Sequence, residues 1–141
     1  MQFVLDCSVA ISWCLVDEND DYANAILAMM PDSEAFVPGI WSLEIANTLV
    51  VAERRNRMTK KQSEQAIALL QSLLIQVDLV TDAKALDTTL KLARQESLAA
   101  YDAAYLELAL RLQLPLATLD TRLAEAATRC SVGFVVVDKE T

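Results

Sequence analysis

Apolar residues in this chain fall into short runs separated by longer stretches of helical period. Residues 2–6 read as a buried strand around Phe3-Val4-Leu5, and Val9, Ile11, Trp13 and Leu15 carry the chain on into a helix. Residues 18–30 predict a second helix, stopped by Pro31. Ala35-Phe36-Val37 is a short strand ending at Pro38-Gly39. A long helix is expected from Ile40 to about Asn56, and Thr59 is placed to cap another that runs to about Gln76. Val77–Val80 reads as a strand. Residues 82–96 predict a helix with Ala85, Leu86, Leu90 and Ala93 on one stripe, and residues 99–112 predict another. Pro115 leads into the strand Leu116–Thr118, a helix covers 121–129, and Gly133 opens a last strand, Phe134–Val137.

Short apolar strands alternating with helices imply an α/β domain of three layers, helices flanking a mainly parallel sheet of roughly five strands. Residues 1–141 form a single such domain, with no repeat, low-complexity tract or linker. Ligands of parallel sheets gather outside the carboxyl ends of the strands. Asp6 and Asp120 both follow such ends, so the pattern puts two carboxylates on one rim.

Composition narrows the chemistry. The chain is 54% apolar, and two Gly with three Pro leave little room for long irregular loops. No apolar run approaches the ~20 residues of a membrane span, and no basic stretch precedes the first apolar residues. The expected location is the cytoplasm, away from any membrane. Cys7, Cys14 and Cys130 lie in apolar segments without a C-x-x-C pair and read as free thiols of a reducing compartment. The chain has no histidine, which excludes Ser-His-Asp and Cys-His catalysis and any imidazole-ligated metal. Its net charge of −8 argues against loose, charge-driven binding of nucleic acid.

Four acids stand out against this background. Asp6 closes Phe3-Val4-Leu5, and Glu44 is the only charge between Ala35 and Ala52. Asp102 interrupts an Ala- and Tyr-rich helix, and Asp120 follows Leu116-Ala117-Thr118-Leu119. A buried carboxylate is costly unless a positive group compensates it, and basic residues are scarce near these positions. Each also has an ordinary reading: Asp6 and Asp120 as helix N-caps, Asp102 as a charge suited to a helix start, Glu44 as a solvated face. Taken together they suit a hard divalent cation, Mg²⁺ or Mn²⁺, which takes oxygen ligands and keeps several waters. Ser8 and Thr118 are candidates to support such a site, or are turn and capping residues.

These segments resemble the PIN domain, and in particular the VapC-type toxins of VapBC toxin–antitoxin pairs. The likeness is carried by Val4-Leu5-Asp6-Cys7-Ser8-Val9, Leu43-Glu44-Ile45-Ala46-Asn47-Thr48-Leu49, Tyr101-Asp102-Ala103-Ala104-Tyr105-Leu106 and Leu116-Ala117-Thr118-Leu119-Asp120-Thr121-Arg122-Leu123, in that order. It implies a metal-dependent endoribonuclease that hydrolyses RNA with Mg²⁺ or Mn²⁺, commonly dimerises and is restrained by a VapB-like antitoxin. By this resemblance the four acidic positions are Asp6, Glu44, Asp102 and Asp120, with Asp6, Asp102 and Asp120 as metal ligands and Thr118 the hydroxyl near the metal.

The densest basic stretch is Arg54, Arg55 and Arg57 with Lys60 and Lys61. It reads either as a solvated turn between helices or as a contact for RNA or an acidic partner, with an apolar groove beside it suited to an antitoxin helix. Two rival functions stay open: another metal-dependent phosphoryl hydrolase, and a non-catalytic binding module on the same scaffold. Asp6-Cys7-Ser8 lacks the second aspartate of a dehalogenase-type phosphatase, and the presence of all four acids disfavours decay to a binding module.

Overall fold

A computed structural model describes residues 1–137. Strand β1 (Gln2–Leu5) leads into helices α1 (Cys7–Cys14) and α2 (Asp21–Met29), then strand β2 (Glu34–Val37). Helices α3 (Trp41–Arg54) and α4 (Lys60–Ser72) connect β2 to β3 (Ile75–Val77). Helix α5 (Thr81–Lys84), a π-helical segment (Ala85–Thr89), α6 (Leu90–Glu96) and α7 (Ala100–Leu112) then return the chain to β4 (Leu116–Ala117), followed by α8 (Thr121–Arg129).

The four strands are all parallel, in the order β3-β2-β1-β4. The chain works outward from β1 to β3 and then crosses back to lay β4 on the other side of β1. The order therefore reverses between β1 and β4, and a sheet of this kind opens its crevice at the carboxyl ends of those two strands. Phe3, Val4, Leu5, Ala35, Val37, Leu116 and Ala117 are buried, as strands covered on both faces require. Helix α7 is buried from Ala103 through Ala109, which is why its sequence is apolar nearly all round.

Local signals set most boundaries. Asp20 caps α2 by accepting from the Ala23 N–H, and Pro31 converts the end of that helix into a 3-10 turn. Thr59 and Gln62 form a reciprocal capping box on α4. Departures from the sequence expectations arise where tertiary pairing decides. The third strand is Ile75–Val77, not Val77–Val80, because Ala35, Phe36 and Val37 of β2 pair with Ile75, Gln76 and Val77; α4 accordingly stops at Ser72, short of Gln76. The expected fifth strand, Phe134–Val137, reduces to one parallel bridge from Phe134 to Leu116, since the two-residue β4 offers little backbone to pair with. The helix expected over 82–96 is broken by its π-helical turn. The extra residue rotates the stripe, so Leu86 is 90% exposed while Thr89, Leu92 and Ala93 face inward.

Candidate active site

At the reversal point β1 ends at Leu5, and Asp6 takes the N-cap position of α1. Its backbone is extended there, but its side chain makes no capping bond. The carboxylate is 3% exposed. Its Oδ2 accepts from the Ser8 hydroxyl at 2.5 Å and from the Thr118 hydroxyl at 2.8 Å. Those hydroxyls in turn accept from the N–H groups of Leu119 and Asp120, both at 3.0 Å. Each hydroxyl has one proton, and both protons go to Asp6, so the 3.4 Å approach between Ser8 and Thr118 carries no further bond. Asp6 is thus fixed by two donors that tie the end of β1 to the end of β4.

Asp120 caps α8, its Oδ1 accepting from the Leu123 N–H at 3.1 Å. Asp102 lies in the first turn of α7 and is part-buried. Glu44 lies in the first turn of α3, and both its oxygens are held: Oε1 accepts from the Tyr105 phenol at 2.7 Å and Oε2 from the Cys7 thiol at 3.3 Å. Burial and the charges of Asp6 and Glu44 push the Cys7 thiol far above its usual range, so it is a protonated donor and no nucleophile.

The acids share one electrostatic field. Asp6 is raised from the ordinary carboxylate value, first by burial and then by the charges of Glu44 and Asp120, while the Ser8 and Thr118 bonds pull it back. Asp102 is raised by its part-burial and by Asp120 and Asp6, against a lowering influence from Arg122. Among the described residues no cation offsets Asp6, and only Arg122 offsets Asp102. The donor set is hard oxygen with surplus negative charge, which suits Mg²⁺ or Mn²⁺. Among the described residues no three acids or thiols form a ready-made cage. Cations that keep their waters need only one or two carboxylates, so the residues still fit such an ion.

The basic stretch is placed elsewhere. Helix α3 carries Glu44 in its first turn and Arg54 in its last, so the two are separated by about 15 Å of helix rise. Arg57 is committed to Asp17, through two bonds of 2.9 Å each. Arg54, Arg55, Lys60 and Lys61 are exposed. The cation that does stand near the acids is Arg122, beside Asp102. Sequence reasoning passed over Arg122, Cys7 and Tyr105 as site residues. The spacing of Tyr105 three residues after Asp102 was a usable signal, since a buried tyrosine needs a partner for its hydroxyl.

The fold is an α/β domain with a group of carboxylates, each within reach of another's charge, at the switch point of a parallel sheet. The PIN domain profile matches residues 3–128, and the chain belongs to the PIN domain family, whose members are generally nucleases. Among solved structures it is similar to PAE2754 from Pyrobaculum aerophilum. The identity is 20% over 89% of this chain and 79% of that chain, with a TM-score of 0.68. It is also similar to FitAcB from Neisseria gonorrhoeae, at 21% identity over 95% of this chain and 96% of that chain, with a TM-score of 0.54. At these identities the likeness is one of fold. No curated protein matches the sequence.

Proposed function

We propose that the protein is a metal-dependent endoribonuclease, the toxin of a type II toxin–antitoxin pair, acting at the rim built from Asp6, Glu44, Asp102 and Asp120. The observation that carries this reading is the carboxylate field around Asp6 and Asp102 at the β1–β4 reversal, which among the described residues only Arg122 offsets. Asp6, Asp102 and Asp120 would hold Mg²⁺ or Mn²⁺. When bound, such an ion supplies a water of lowered pKa and positive charge at the phosphodiester. Ser8 and Thr118 hold Asp6 in one orientation, and Asp120 is fixed through its capping bond. Tyr105 and Cys7 aim Glu44 into the crevice, where its carboxylate is a base for a water proton. Arg122 supplies a cation to a phosphate beside Asp102.

Partners follow from the remaining surface. A groove of about 410 Å³ between α3 and α4 is lined by Trp41, Ile45, Leu49, Ile67 and Leu70. Among the described residues the buried Trp41 indole N–H has no acceptor. An amphipathic antitoxin helix bringing a carbonyl or carboxylate suits that groove, with Arg54, Arg55, Lys60 and Lys61 further along the same two helices for its acidic residues. A homodimer is part of the same proposal, as is the cytoplasm, which suits three free cysteines. No helix among the described residues is long and apolar enough to cross a membrane.

The test is cleavage of single-stranded RNA by purified protein in Mg²⁺ or Mn²⁺ and after chelation. Asp6→Asn should abolish cleavage and leave folding intact, and thermal stability should hold or rise because a buried, repelled carboxylate is removed. Wild-type cleavage rates in Asp6→Asn, or equal rates with the metal chelated, would end this reading.

A further inference from the structure

Beyond the acids, the same rim continues past β2 to β3 and reaches a second cavity of about 520 Å³. Its walls include Gly39, Thr81, Asp82, Thr89 and Tyr101. Tyr101 and Ile40 also line the hollow that holds Glu44, so the two spaces share a wall. Two strand spacings, about 10 Å, separate β1 from β3. A strand of RNA lying along the rim with a phosphate at Asp6 would therefore bring a neighbouring nucleoside to this cavity.

The cavity combines an aromatic ring with polar side chains in its lining. Tyr101 is 62% exposed, immediately before Asp102, and lines the cavity. Thr89 is 3% exposed and lines the cavity, and among the described residues its buried hydroxyl has no hydrogen-bond partner. Thr89 closes the π-helical segment, and such turns often occur at functional sites. The floor is rigid: the Gly39 N–H donates to Thr81 Oγ1 at 3.0 Å, the Thr81 hydroxyl donates to Asp78 at 2.7 Å, and Arg111 holds Asp78 through two bonds. Asp78 is therefore occupied, while Asp82 is exposed and free to accept an N–H from a base edge.

We infer that this cavity is a nucleobase subsite: it takes an unpaired base of the RNA, stacked on Tyr101 with its polar edge toward the Thr89 hydroxyl and the Asp82 carboxylate. The inference rests on the nuclease reading above. It explains how a chain of net charge −8 holds RNA, through a base face in place of a broad basic surface. It also gives the Thr89 hydroxyl a hydrogen bond that the described residues do not supply.

The test uses short single-stranded RNAs in which each base in turn is made abasic. Affinity is measured by fluorescence anisotropy with Ca²⁺ replacing Mg²⁺, and the strands are checked for integrity. For wild type, one abasic position should weaken binding by roughly 5- to 100-fold, the usual range for one stacked base. Tyr101→Ala should weaken binding of intact RNA by a similar factor and lose its sensitivity to that position, whereas Tyr101→Phe should behave as wild type. Thr89→Val should fold normally and weaken intact RNA by roughly 2- to 10-fold. Wild-type affinity and abasic sensitivity in Tyr101→Ala, or unchanged binding in Thr89→Val, would overturn the subsite and leave the nuclease reading standing. A wild-type protein that neither binds nor cleaves RNA overturns both. Leu79 is 94% exposed at the cavity mouth. A Leu79→Asp change that turns a dimer into a monomer, with Tyr101→Ala binding RNA normally, would assign the mouth to contact between copies and overturn the subsite.

Discussion

Replacing Tyr105 by phenylalanine tests whether Glu44 is positioned by the protein's own core. Tyr105 is fully buried and its ring is among the largest side chains of the core, so Tyr105→Phe keeps the packing and deletes one hydroxyl. What is lost is the 2.7 Å bond from the phenol to Glu44 Oε1. A hydrogen bond to a charged acceptor contributes about 1.5–3 kcal/mol. Glu44 is only part-buried, so water takes up some of the deficit and the loss should lie near the lower end, about 1.5 kcal/mol. For a domain of this size that lowers Tm by roughly 5 °C. Tyr105→Ala removes the ring as well and should cost about 3–5 kcal/mol. Urea denaturation of both variants, alone and combined with Glu44→Ala, gives the coupling between the two residues. If Glu44 is the partner, Tyr105→Phe should cost much less in the Glu44→Ala background. Equal losses in both backgrounds, or a Tyr105→Phe protein as stable as wild type, would refute the reasoning. On the proposed function, Tyr105→Phe should also slow RNA cleavage with little effect on RNA affinity.

Arg111→Ala should be the more damaging charge change, because it leaves Glu107, with a side chain 4% exposed, and Asp78 without their cation. Breaking such a pair from one side costs about 3–5 kcal/mol, which urea denaturation would register; a loss below about 1 kcal/mol would contradict it. Stability should also fall in alkali. Burial raises Cys7 and Cys130 above their ordinary value of 9.0, Cys14 to about 11, and Tyr22 and Tyr105 above 10.0. The folded protein keeps protons that the unfolded chain releases, so the stability present below pH 9 declines as pH rises through 9–11, and a flat Tm over that window would oppose this account. Asp78 works in the opposite direction: Arg111 lowers it, so its contribution is present above pH 3.8 and is lost as pH falls below it. Finally, Arg54→Gln with Arg55→Gln should leave metal affinity unchanged. If both side chains meet phosphates, the slope of log affinity for RNA against log salt falls by about 0.7 per contact. An unchanged slope would assign the stretch to a protein partner.

The sequence alone carried the α/β architecture, because strands buried on both faces must be continuously apolar and the helices between them must repeat near 3.6. It also carried the four acids, since a charge inside an apolar run is visible without coordinates. It could not place the third strand: Leu73-Leu74-Ile75 and Val77-Asp78-Leu79-Val80 are both apolar enough, and only pairing with β2 chose Ile75–Val77. Nor did it foresee the inserted residue at Ala85–Thr89, where period reasoning put Leu86 inside and the fold turned it out in favour of Thr89. The capping alternatives for Asp6 and Asp120 were also settled only by the fold. Asp120 does cap its helix, while Asp6 gives up that bond because the hydroxyls of Ser8 and Thr118, 110 residues apart in the chain, converge on it. Linear spacing reads what each residue prefers, whereas contacts between distant segments decide which of two acceptable partners it receives.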